Sequence, residues 1–107
     1  MYIAMNRFKV KIGNEDAFET RWLNRDILLK SCLGFISFQF LRGPQNAEYT
    51  LYVSHTLWET YDDFCNWTKS DAFKEAHIKA GQSERLTISP PTFEGFDILQ
   101  TVTRRVI

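Results

Sequence analysis

The segment YTLYVSHTLW, residues 49–58, puts Tyr52 and Trp58 on one side of an alternating pattern and Val53 and Leu57 on the other. A period of two is that of a β-strand, whose successive side chains leave opposite faces. A strand apolar on both sides belongs in a sheet covered on both sides. The first segment, Tyr2 to Lys11, alternates more simply. Ala4, Asn6, Phe8 and Val10 share one face, and Met5, Arg7, Lys9 and Lys11 the other. It reads as a strand with one wet face. Helices can cover one side of such a sheet, and the remaining apolar side predicts a second copy packed sheet to sheet, a homodimer.

The segments between these strands change period. Gly13-Asn14 ends the first strand, and Asn14 stands where it can cap a helix with Glu15 and Asp16 in its first turn. Phe18, Trp22, Arg25 and Leu29 form one stripe, predicting a helix to about Lys30, ahead of Gly34. GFISFQFLR predicts the second strand, with Gly43-Pro44-Gln45-Asn46 as the turn into the third. Thr60 with Asp63 is an acidic capping box opening a helix through Phe64 and Trp67. Ser70-Asp71 reads as a fresh N-cap for a short helix carrying Phe73, Ala76, His77 and Ala80. Residues 81–92 are polar and hold a Pro pair, and GFDILQTVT predicts a last strand. The order β-α-β-β-α-α-β suits an α+β fold: a ferredoxin-like sandwich, four antiparallel strands with helices on one face, in one domain over residues 1–107.

Thirteen basic and thirteen acidic residues balance, which weighs against a nucleic-acid partner. The N-terminus MYIAMNRFKV is too polar for a signal peptide, and no apolar run approaches the roughly 20 residues of a membrane span. Cys32 and Cys65 have neither CxxC nor metal-ligand spacing and read as apolar filler in a reducing cytoplasm.

Some polar residues do not fit the apolar faces that hold them. Asn6 lies in register with Ala4, Phe8 and Val10. A buried amide costs about 1–3 kcal/mol unless it is paired, so Asn6 either satisfies a backbone neighbour or serves a ligand. His77 shares a helical stripe with Phe73 and Ala80. It is either a hydrogen-bonded core histidine or a metal ligand; a zinc cage lacks further ligands, whereas haem needs one protein ligand. Trp67 lies on the stripe of Phe64, where core packing accounts for it. Arg21 and Arg25, one helical turn apart, either snorkel to water or clamp a carboxylate. His55 alternates with Val53 and Leu57 and reads as structural. No nucleophile elbow, P-loop, dinucleotide fingerprint or HExxH motif is present.

Asn6-Arg7 in the first strand, the FxxWxxSxxFxxAH pattern from Phe64 to His77, Gly34-Phe35 and Trp58 together resemble the IsdG-type haem-degrading monooxygenases of the antibiotic-biosynthesis-monooxygenase (ABM) superfamily. The FEGF near the end is most similar to the rhizobial HmuQ/HmuD type. The resemblance implies a homodimeric barrel with one haem per subunit between sheet and helices. It makes His77 the axial iron ligand and Asn6 a distal amide donor to oxygen. It makes Trp67 the ring that ruffles the porphyrin, with Arg21 and Arg25 near the propionates. Haem would be both cofactor and substrate, with O2 and an external electron donor, an unidentified reductase, completing the reaction to a biliverdin-like product. The polar 81–92 segment is then a lid. Two other readings share these residues: a cofactor-free ABM monooxygenase of a polyketide or quinol, and a haem carrier without activity.

Overall fold

The computed structural model describes residues 1–24, 28–71, 73–74 and 85–105. Its elements run β1 (Tyr2–Lys11), α1 (Glu15–Leu23), a 3-10 turn (Leu28–Ser31), β2 (Phe35–Gln45), β3 (Tyr49–Trp58), α2 (Tyr61–Thr68) and β4 (Thr92–Asp97). The strands form one antiparallel sheet in the order β2-β3-β1-β4. This is the ferredoxin-like arrangement expected from the element order, with both helices on one face.

The alternation of β1 decides which face that is. Tyr2, Ala4 and Val10 are buried beneath the helices, as are Tyr52 and Trp58 of β3, both fully sealed. The covered face holds two clusters. Under α1, Phe18 meets Phe8, Phe40 and Tyr52 at ring separations of 5.5, 5.9 and 5.3 Å, and Trp22 stacks on Phe40 at 5.2 Å. Under α2, Phe64 and Trp67 rest on Trp58 at 5.9 and 5.8 Å. The indole of Trp58 is buried with its polar end satisfied: Nε1 donates to Thr56 Oγ1 at 3.0 Å, and that hydroxyl donates to the Ala4 carbonyl at 3.1 Å.

Acidic side chains of α1 fasten it to the sheet. Glu15 accepts from Thr50 Oγ1 at 2.8 Å, and Glu19 accepts from the Tyr52 hydroxyl at 2.5 Å and from Arg42 at 3.2 Å. The Thr60 cap forms as the sequence predicts, its Oγ1 accepting from the Asp63 amide at 3.0 Å. Ser70 likewise accepts from the Phe73 amide at 3.2 Å.

The structure corrects several boundaries. The first helix ends at Leu23 with Asn24 as its C-cap, rather than at Lys30. Arg25 lies outside the described residues, and Leu29 belongs to the 3-10 turn, buried in the cluster beneath α2. Asn14 holds the N-cap position without a side-chain cap; the Glu15 carboxylate takes the Gly13 amide instead, at 2.8 Å. Gly43-Pro44 is not the hairpin turn. β2 continues to Gln45 through an irregularity between Arg42 and Gln45, which an edge strand tolerates because its outer amides have no ladder partner. The turn falls at Asn46, whose Oδ1 accepts from the amides of Glu48 and Tyr49 at 2.8 and 2.9 Å. β4 spans Thr92–Asp97 and not residues 95–103. Its register on β1 pairs Asp97 with Tyr2, so β1 has no further strand to offer.

Candidate functional site

Asn6 sits at the middle of β1 on the helix-covered face, level with Ser54 of β3 and Phe93 of β4. One residue pair toward the strand's start, Ala4 belongs to the cluster under α2; one pair onward, Phe8 packs against the cluster under α1. Asn6 belongs to neither and is half-buried. Among the described residues nothing hydrogen-bonds its side-chain amide, and that amide is not sealed from solvent. Of the two readings open for Asn6 in the sequence, pairing with a backbone neighbour is therefore not what the described residues show.

The walls of this seam are aromatic. Trp67, half-buried in the last turn of α2, packs on Trp58 and meets Phe73 edge-on at 4.7 Å and 85°. Phe64, one turn earlier, meets Trp67 at 6.4 Å and stacks on Phe93 at 5.5 Å with ring planes 7° apart. A continuous line of rings therefore leads from Trp67 through Phe64 to Phe93, the register neighbour of Asn6. Tyr2 backs this line at 5.5 Å from Phe64, and burial foremost pushes its phenol's pKa up, keeping it neutral.

The structure thus brings Asn6 and Trp67 to the same side of the sheet. Arg21, half-buried in the last turn of α1, is already engaged within the protein. Arg25, His77 and residues 81–84 lie outside the described residues; the rest of the 81–92 segment runs beside β1, where the Lys11 amide donates to the Leu86 carbonyl and the Ile88 amide to the Lys9 carbonyl, both at 2.9 Å. Among the described residues no three of His, Cys, Asp and Glu gather into a metal cage. A flat, largely apolar ligand with one polar acceptor fits what is described: aromatic faces along one wall and an unpaired amide donor in the floor. Phe93 was missed by sequence reasoning. Its signal, an aromatic alternating with Gly95, has meaning only once β4's register on β1 is known.

On the other face of the sheet no helix packs among the described residues. Val53 is buried and Leu57 half-buried there, while Leu41 and Phe96 are 41% and 45% exposed. His55, between Val53 and Leu57, has a buried Nδ1 with no hydrogen-bond partner among the described residues. Among those residues no helix is long and apolar enough to cross a membrane.

The family model described as antibiotic biosynthesis monooxygenase matches residues 1–79. A heme oxygenase (staphylobilin-producing) from Staphylococcus saprophyticus is 34% identical over 77 residues, which cover 72% of this chain and 73% of that one. Among solved structures, the heme-degrader MhuD from Mycobacterium tuberculosis, with two hemes bound in its active site, superposes with a TM-score of 0.75. The match covers 96% of this chain and 100% of that one, at 23% identity. SnoaB, a cofactor-independent oxygenase from Streptomyces nogalater, superposes with a TM-score of 0.68 over 94% of each chain, at 20% identity. At such identities the structural matches speak for the fold alone.

Proposed function

The chain belongs to the antibiotic biosynthesis monooxygenase family and is of its IsdG type, and from that premise we propose that it is a haem-degrading monooxygenase. The observation that carries this reading is the Asn6 amide, without a hydrogen-bond partner among the described residues, in the floor of an aromatic seam, in a chain whose curated relative is named for haem oxygenation. SnoaB shares the fold and is named cofactor-independent, so the fold by itself cannot choose between the two activities.

When bound, haem supplies both the iron and the ring that is oxidised. In this reading His77 would be the single protein ligand that holds the haem iron. Asn6 would supply the amide donor, a fixed dipole that can stabilise developing negative charge without reorganisation. Trp67, wedged between Trp58 and Phe73, cannot easily yield. A bulky ring so held would distort a flat macrocycle, one of a protein's levers on haem. Arg21 and Arg25 would be the basic residues that contact the propionates. Electrons come from an external reductase. The product is an opened tetrapyrrole of the biliverdin-like class; recovery of staphylobilin, named for the Staphylococcus relative, would correct that assignment. The working unit is a homodimer of single-domain subunits, the second copy covering the open sheet face and the orphaned His55 Nδ1. Its location in this reading is the cytoplasm, a reducing compartment that suits the two free thiols of Cys32 and Cys65.

Haem titration followed by turnover with ascorbate or a reductase tests the reading. The wild type is expected to develop a Soret band and then lose it as the ring opens. His77→Ala is expected to lose the band, Asn6→Ala to bind haem but degrade it poorly, and Trp67→Ala to hold a flatter porphyrin by resonance Raman. No Soret band in the wild type would favour a cofactor-free oxygenase, and stable bound haem a carrier. Wild-type turnover in Asn6→Ala would return Asn6 to a packing role.

A further inference from the structure

Phe93 is 48% exposed although it lies on the helix-covered face, where Tyr2, Ala4 and Val10 are 7%, 3% and 0% exposed. A large aromatic left half-open on the side the helices cover keeps apolar surface available to a ligand lying beside Asn6. Its ring is held: Phe64 stacks on it in near-parallel fashion, and Phe64 is itself braced by Tyr2, Trp58 and Trp67. It is also placed, because the β1–β4 register sets it beside Asn6 on the same face.

We propose that Phe93, rigidified by Phe64, is a porphyrin-binding residue: the flat wall on the β4 side of Asn6 against which the macrocycle lies. The proposal rests on the haem reading above and adds to it a contact that acts on the ring and not on the iron. Aromatic faces attract a flat π-system by stacking and by shedding water, and neither depends on the metal. The prefixed orientation of the ring means that little side-chain freedom is lost on binding. Phe93 therefore discriminates by planarity and ring size, while axial ligation discriminates by the metal.

Two ligands separate these contributions: haem, followed by its Soret band, and iron-free protoporphyrin, followed by its fluorescence. Phe93→Ala is expected to weaken both by a similar factor, on the order of tenfold. Phe93→Leu, which keeps apolar bulk but not the flat face, should fall between that variant and the wild type. His77→Ala should weaken haem alone. Circular dichroism checks folding, and if Phe93→Ala does not fold, Phe93→Leu is judged by the same comparison. Wild-type affinity of the Phe93 variant for both ligands would overturn the proposal. So would a loss confined to haem, since Phe93 would then act through the iron. Failure of the wild type to bind haem would be a different result, sinking the functional reading itself.

Discussion

The contact between Tyr52 and Glu19 offers a sharp energetic test of how α1 is held on the sheet. Tyr52 is fully buried, and its hydroxyl donates to Glu19 Oε2 at 2.5 Å. Tyr52→Phe removes one oxygen and leaves the ring contacts with Phe18 and Phe40, at 5.3 and 5.4 Å, in place. The cost is therefore that of a hydrogen bond and not of a cavity. A hydrogen bond to a charged group contributes about 1.5–3 kcal/mol. Glu19 keeps Arg42 at 3.2 Å and its side chain is 29% exposed, so water replaces part of the loss. The lower end, about 1.5 kcal/mol, is expected. For a domain of this size that lowers Tm by roughly 6–12 °C.

Thermal and urea unfolding at neutral pH measure it, and a cycle with Glu19→Gln isolates the pair. Alkaline titration adds an independent readout. Burial, followed by the Glu19 hydrogen bond, pushes the Tyr52 phenol up to about 12. A folded pKa above the unfolded value of ~10 means the contribution is full below pH ~10 and lost as pH climbs through the folded value. Tyr52→Phe should lack that part of the alkaline loss. A variant that melts with the wild type and has the same alkaline limb would refute the reasoning.

Gly95→Ala would drive a Cβ into the Tyr2 hydroxyl, and Tyr2 is braced by Tyr61 and Phe64; a loss of about 1–3 kcal/mol in urea unfolding is expected. Glu15 is held below the ordinary carboxylate range by its own backbone amide first and by the Thr50 hydroxyl next. That contribution is present above pH ~4.3 and lost as pH falls through the lower folded value. Glu15→Gln should therefore be less stable than wild type at pH 7, with the gap closing as acid protonates Glu15 in the folded state. Thr60→Ala removes the cap of α2 and should cost about 1 kcal/mol by thermal melting, with α2 helicity falling in circular dichroism.

The order of the described elements was legible because each period is local, while the short helix expected from Ser70 to Ala80 falls largely outside the described residues. Alternation in Tyr2–Lys11 and Tyr49–Trp58 needs no partner strand to be seen, and the Thr60 cap acts across three residues. Asn6 was legible as an anomaly for the same reason: a polar residue in an apolar register is visible within one strand. Boundaries fared worse where the deciding contact is remote. Pro44 reads locally as a turn, yet β2 runs past it because its outer edge has no neighbour to need the missing amide. The last strand begins at Thr92 because Arg7, far away in sequence, is its partner there.

By itself the sequence determined the ferredoxin-like layout, the covered face, and the inward set that includes Asn6 and Trp67. Tertiary structure alone decided that Phe93 comes level with Asn6 and stacks on Phe64, and that His55 keeps a buried nitrogen without a partner among the described residues. The division follows from range. Side-chain direction repeats with the backbone of a single segment, whereas the register between strands is chosen by the summed fit of residues that meet only when the chain has closed.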